Sequence, residues 1–223
     1  QMKISADQEV YTFLRQAIIS RKLLPNEQIV ETNIVEQSGL SRTPVRAALK
    51  RLANDGLVVL KPNKGAFVVN PSHKEVRDLF ECKMMHEAEI TALAAVHITE
   101  SEILQLCQIM DRTVEYHKRR EFTYFLELNY DFHMIIAHAA NNCYLEKISH
   151  ELLTATSAAL LVYDDFREVP LEDMESFKEH NQIIAALRNR DENLARQAMV
   201  NHLLNTYQTL HLSLPLRYVY PLE

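Results

Sequence analysis

Arg42 and Arg46 stand four residues apart in the stretch LSRTPVRAALKRLANDGLV, residues 40–58. On a helix they share one face, opposite an apolar stripe of Val45, Leu49 and Leu52. A guanidinium on such a face can bond bidentately to O6 and N7 of guanine in a major groove. The hydroxyls of Ser41 and Thr43, at the helix start, suit a phosphate. Lys50 and Arg51 lie further along and could meet the backbone. Lys61 and Lys64 fall in the next turn, KPNKG, where Gly65 would let the chain approach a surface closely. The competing reading of this cluster is a solvated basic face.

A second set of residues could hold a metal. Asn129 and His133 are at i and i+4 in ELNYDFHMIIAHAANN, and His180 and His202 border apolar stripes in EHNQIIAAL and AMVNHLL. Three imidazoles and an amide oxygen meeting inside a helical bundle would make a site for a first-row divalent ion, with positions left for water or an anion. Spacing leaves open the alternative that each is a buried, hydrogen-bonded structural histidine. Asp131 points to another face than His133, and His138 at i+5 falls off the ligand face.

The elements that must position these groups follow from periodicity and punctuation. Asp7–Ser20 places Val10, Phe13, Leu14, Ala17 and Ile18 on one helical face. LLPNEQ reads as a turn, and a short helix over Glu31–Gln37 ends at Ser38-Gly39. Ser41 offers an N-cap oxygen, and Pro44 falls in the first turn, where a missing N–H costs nothing. Asp55-Gly56 stops that helix. Leu57–Leu60 and Ala66–Val69, joined by KPNKG, read as a hairpin. Three helices and a hairpin with a basic tip have the order of a winged helix-turn-helix. Pro71 and Ser72 interrupt the pattern, and everything beyond reads as helix, near 74–96, 100–119, 121–141, 143–165, 172–189 and 191–210. Thr99 and Glu102 form a capping box. The expected fold is mainly α: an N-terminal winged helix-turn-helix over 1–70, a linker at 71–76, an all-α helical-bundle effector domain over 77–212, and a proline-punctuated tail at 213–223.

Charge divides the chain at the same place. Residues 1–72 carry ten Lys/Arg against six Asp/Glu, whereas residues 73–223 carry fourteen against twenty-four, and all ten histidines. A basic head on an acidic body points to a head that meets a polyanion. Only three of the 223 residues are glycine, which favours a helical fold. The three cysteines, Cys82, Cys107 and Cys143, are widely spaced and odd in number, fitting free thiols in a reducing cytoplasm. Gln1-Met2-Lys3 lacks the apolar core of a secretory signal, and no apolar run approaches the ~18 residues that span a bilayer.

Residues 10–69, through LSRTPVRAALKRLANDGLV and the wing KPNKGAFVV, resemble the N-terminal domain of the GntR family of bacterial transcription regulators. The resemblance implies that Arg42 and Arg46 contact base and phosphate, with Gly65 at the wing tip. Where family members often carry glycine, this chain has Ser20-Arg21 and Asn26. It has Ala47 in place of an acidic residue, and Thr32 where a fatty-acid-responsive relative has a third DNA-contacting arginine. Residues 75–210 resemble the FCD domain of the FadR subgroup, through NYDFH, EHNQIIAAL and NHLL. That implies a metal, Zn2+ or Ni2+ by ligand type, on Asn129, His133, His180 and His202, with Asn129 where aspartate is commoner. Lys83, in FECKMMHEAE, takes the position of an arginine that in relatives helps hold a carboxylate effector.

The expected function is a cytoplasmic DNA-binding transcription regulator, a repressor acting as a homodimer on a palindromic operator and tuned by a small organic acid held beside the metal. An alternative is a regulator for which the metal is itself the signal. A metal-dependent hydrolase is argued against by the lack of HExxH or another catalytic spacing, so no catalytic residue is expected.

Overall fold

The computed structural model describes residues 5–221. The first four residues of the expected head, with the Gln1-Met2-Lys3 reading, and the last two of the expected tail lie outside them. The chain divides into two compact units. One runs up to Pro71 and includes Ser157–Val162; the other comprises Ser72–Thr156 and the chain from Tyr163 onward.

The first unit is built from α1 (Ala6–Ile19), β1 (Gln28–Ile29), α2 (Glu31–Ser38), α3 (Arg42–Asn54), β2 (Val58–Lys61) and β3 (Gly65–Val68). Val10, Leu14, Ala17 and Ile18 of α1 are buried with Val45, Ala48, Leu49 and Leu52 of α3, and the two helices pack directly together. Phe13, expected on this face, is 55% exposed. It lies about 60° around the helix from Val10, at the edge of the stripe. Tyr11 ties the two helices from the side: its hydroxyl donates to Asp55 Oδ2 (2.7 Å), and the Arg51 guanidinium stacks 3.9 Å from its ring centre. Arg51 also donates to Gln8 Oε1 at 2.6 Å, so it serves the packing of α1 on α3.

Pro44 sits in the first turn of α3, as its missing N–H requires, but Ser41 at the N-cap position makes no side-chain cap hydrogen bond. Gly39 closes α2 at φ +68°, its N–H donating to Val35 O. The sheet has the order β1-β3-β2, with both pairings antiparallel. Its hairpin register opposes Leu60 to Ala66 and Val58 to Val68. β1 corrects the expectation of a simple turn at LLPNEQ: Gln28 and Ile29 pair with Phe67 and Ala66, a partnership nearly 40 residues away that local pattern does not show.

The second unit holds α4 (His73–His97), α5 (Glu100–Lys118), α6 (Phe125–Ala139), α7 (Cys143–Tyr163) apart from its Ser157–Val162 stretch, α8 (Glu175–Arg188) and α9 (Glu192–Thr209), with 3-10 turns at Phe122–Tyr124 and Leu171–Asp173. These turns occupy the starts of the helices expected from 121 and 172. α4 begins inside the stretch read as a linker, because Ser72 and Glu75 form a reciprocal capping box that starts the helix at His73. The expected Thr99–Glu102 box is present at the start of α5. α4 packs on α6, α8 and α9, and α5 packs on α6 and α8, around a core that includes Met84, Phe132, Ile136, Ile183, Leu187, Met199 and Leu203.

At its far end α4 is stopped by another part of the chain. Arg190, in the turn between α8 and α9, donates to the carbonyls of Ala95 (3.4 Å), Val96 (3.0 Å) and Ile98 (2.7 Å). The expected tail lies against this unit as a strap. Arg217 pairs with Glu81 and Asp78, Tyr220 donates to Glu89, and Leu216 and Tyr220 pack against the core. No helix among the described residues is long and apolar enough to cross a membrane.

Candidate nucleic-acid interface and metal centre

The burial of α3 separates its two faces. Val45, Leu49 and Leu52 are sealed in the core, while Ser41, Arg42, Thr43, Arg46 and Lys50 are exposed along the other side. The Arg46 guanidinium is held from α2: its Nε donates to Glu31 Oε2 at 2.9 Å. In the hairpin, the Lys64 N–H donates to Lys61 O (3.0 Å), and Gln28 of β1 donates from its side-chain amide to Lys64 O (2.8 Å). Asn63 and Gly65 take positive φ, 58° and 91°, which a tight turn needs and glycine adopts without penalty. Lys61 lies 4.3 Å over the Phe67 ring, while the Lys64 side chain is exposed at the tip. The unit therefore presents one basic helix face and a pinned, basic hairpin tip.

In the helical unit, α6, α8 and α9 bring His133, His180 and His202 together. One ring nitrogen of each lies within 4.8 Å of the others, and all three side chains are buried. His180 Nε2 and His202 Nε2 are 3.3 Å apart. Phe132 stacks on His180 with ring centres 4.1 Å apart, fixing that imidazole from one side. Asn129, half-buried one turn before His133 on α6, lines a small cavity with His180, Met110, Phe125, Leu128 and Phe177.

Behind two of the imidazoles stand carboxylates that sequence reasoning did not place. Glu179 Oε2 accepts from His202 Nδ1 (2.9 Å) and its Oε1 accepts from the Asn205 amide (2.5 Å). Glu87 Oε2 lies 2.8 Å from His133 Nδ1, and its Oε1 lies 2.9 Å from Lys83 Nζ. A carboxylate can only accept, so His202 carries its proton on Nδ1 and turns its Nε2 toward His180. Among the described residues, Glu87 and His133 Nδ1 are close without being aligned as hydrogen bonds, although all three atoms are fully buried. Glu87 is separated from His133 by 46 positions and Glu179 from His202 by 23. The only local hints were the Lys83–Glu87 spacing of i, i+4 and the adjacency of Glu179 to His180.

Burial dominates the electrostatics. It drives His133 down to about 4, against the pull of Glu87, and holds His180 well below the usual histidine range, helped by the neighbouring His202. Burial alone would raise Glu87, but Lys83 and His133 overcome it and keep the carboxyl below its usual range. Burial thus keeps His133 and His180 from charging while Glu87 stays ionised, and Lys83 beside it is only 1% exposed.

These residues fit a divalent transition ion. Metal–nitrogen bonds of ~2.1 Å place neighbouring nitrogens roughly 3.0–3.4 Å apart in tetrahedral or octahedral geometry, and the His180–His202 separation matches. Inward lone pairs backed by carboxylates are the arrangement that metal-ligating histidines use. Other expected or discounted residues fall elsewhere. Asp131 and His138 line a surface groove with Arg112 and Glu146, and His86 contacts Leu145 O and Ser149 Oγ.

Comparison with known proteins matches both halves of the chain. Residues 6–68 match the family model for bacterial regulatory proteins of the gntR family, and residues 78–205 match that for the FCD domain. The chain is 30% identical over 197 residues to the HTH-type transcriptional repressor RspR of Escherichia coli, covering 88% of this chain and 85% of that one. It is 29% identical over 194 residues to the Uxu operon regulator of Haemophilus influenzae, covering 78% and 70%. The solved structure of E. coli McbR/YncC superposes with a TM-score of 0.71 over 94% of this chain and 98% of that one, at 21% identity, a likeness of fold.

Proposed function

The chain belongs to the GntR family of bacterial transcription regulators and carries an FCD domain, and from that premise we propose that it is a metal-containing repressor whose operator binding is tuned by a small carboxylate. Family and relatives are regulators and not enzymes. In this reading residues 1–70 are the DNA-binding head and 77–212 the effector domain, working as a cytoplasmic homodimer on a palindromic operator. Arg42 and Arg46 read bases, Ser41, Thr43 and Lys50 meet phosphates, and Lys64 and Gly65 bring the wing to the adjacent groove.

The observation that carries the effector half is the buried triad of imidazoles backed by Glu87 and Glu179. His133, His180 and His202, with Asn129, would hold Zn2+ or Ni2+. The ion, once bound, would supply a Lewis-acidic position for a carboxylate oxygen. Lys83 contributes positive charge beside that position. An effector acts only through its different affinity for DNA-competent and DNA-incompetent states.

The test measures metal content, thermal midpoint and DNA binding on the same protein. Arg46→Ala is expected to remove sequence-specific binding while leaving the midpoint unchanged; undiminished specificity would overturn the role of α3. His133→Ala is expected to lower both metal content and midpoint, and a full metal complement in that variant would remove the site. A panel of small organic acids, run on metal-loaded and chelator-stripped protein, should raise the midpoint only in the loaded form.

A second reading, in which the metal alone is the signal, is favoured by one contact. Lys83 lies 2.9 Å from Glu87 with both side chains buried, so its charge is already matched within the fold. Metal-dependent release of DNA with no acid required would decide for this reading.

A further inference from the structure

Glu31 is the first residue of α2, an acidic group on the side of the head that carries the basic residues. Most of the surface beside a recognition helix gains by being positive, because each phosphate contact adds affinity. A carboxylate here costs affinity for any DNA, so its effect must be sought in geometry. Its partner is Arg46, 15 residues on in α3.

Three features define that geometry. The Glu31 carboxylate receives Arg46 through Nε at 2.9 Å, leaving both terminal amino groups of the guanidinium outside the pair. The Arg46 side chain remains 64% exposed while Glu31 is 32% exposed, so the anchor is the more recessed partner. Glu31 is itself held at the positive end of α2, where the Val30 N-cap position supplies no side-chain acceptor. An arginine held by Nε is biased against swinging toward either phosphate row, by the modest amount an exposed ion pair supplies. Its two terminal amines are the pair that a bidentate contact with guanine O6 and N7 uses.

We infer that Glu31 is a positioning residue for base reading: it holds Arg46 by Nε and so converts a phosphate-seeking cation into a reader of guanine. The inference rests on α3 being the recognition helix. Glu31 trades non-specific affinity for discrimination. Removing it frees Arg46 to meet phosphates and removes a negative charge from the DNA-facing side.

The full-length protein is tested after its preferred duplex has been selected from random DNA. Affinities are then measured for that duplex, for versions with each guanine replaced in turn, and for random duplex. Wild-type protein that selects no sequence would defeat the recognition-helix reading itself. Given a selected sequence, Glu31→Ala is expected to lower discrimination at one guanine about tenfold, the loss of a bidentate base contact, while affinity for random duplex rises. Glu31→Gln, which keeps an acceptor for Nε, should fall between. In an Arg46→Ala background the Glu31 substitution should no longer change discrimination. Unchanged discrimination in Glu31→Ala, a parallel fall of specific and random affinity, or an undiminished Glu31 effect without Arg46 would each overturn the inference.

Discussion

At the scale of single residues, Lys83 and Glu87 carry the largest risk in the helical domain. A buried ion pair contributes little over an apolar pair of the same shape, but breaking it strands a charge. Lys83→Met leaves the Glu87 carboxylate facing only His133, and the expected loss of unfolding free energy is about 3–5 kcal/mol by chemical denaturation. Lys83→Met combined with Glu87→Gln should recover much of that loss, because no formal charge is left behind. Additive losses in the double variant would show that the two side chains act separately. His180 and His202 were legible as inward-facing because each bordered an apolar stripe, whereas His133 was marked by its i, i+4 spacing from Asn129 and by the family resemblance. Their carboxylate supports were not, because Glu87 and Glu179 meet their partners across helices and leave no periodic trace. Ser41 shows the opposite failure: the residue type and position suited a cap, yet its side chain makes no cap hydrogen bond.

At the scale of elements, helix limits were readable to within a few residues wherever a cap or a glycine marked them, as at Thr99 and Gly39. What stayed hidden was set by distant partners. β1 exists only because Gln28 and Ile29 find β3. The end of α4 depends on Arg190, whose guanidinium accepts the task of three orphan carbonyls. Arg190→Ala is expected to destabilise the protein by about 1–3 kcal/mol, the cost of leaving such groups poorly satisfied. Arg190→Lys should recover only part, since an ammonium lacks the planar fork. Equal stability of Arg190→Ala and the parent would show that water replaces the guanidinium without loss.

At the scale of the whole molecule, proton uptake couples stability to pH. His133, at about 4, and His180 are held below the 6.5 of an unfolded histidine. Below pH 6.5 the unfolded chain binds protons that the fold refuses, so stability falls as pH drops from 6.5 toward 4, by at most ~1.4 kcal/mol per unit for each group. Asp164 opposes this. Burial raises it to about 6 from 3.8, so its contribution improves as pH falls across that interval. His86, lowered by burial, adds to the histidines and Asp131, raised by burial, adds to Asp164; three groups outweigh two, and denaturation midpoints of chelator-treated protein should decline between pH 6.5 and 5. His180→Leu should flatten the decline. A bound metal should steepen it, because protons compete for the ligands. A profile flat across this range would show that the buried imidazoles are protonated without cost.

Helix α4 also has a mechanical meaning. Its first turn is closed by the Ser72–Glu75 capping box, its last is held at Ala95–Ile98 by Arg190, and it is clasped between α9, α6 and the strap. Such a helix moves as a rod. From Glu87 back to Ser72 it runs 15 residues, about 22 Å at 1.5 Å per residue. The candidate metal site therefore leans, through Glu87, on the same helix that begins directly after the basic head's last residue, Pro71.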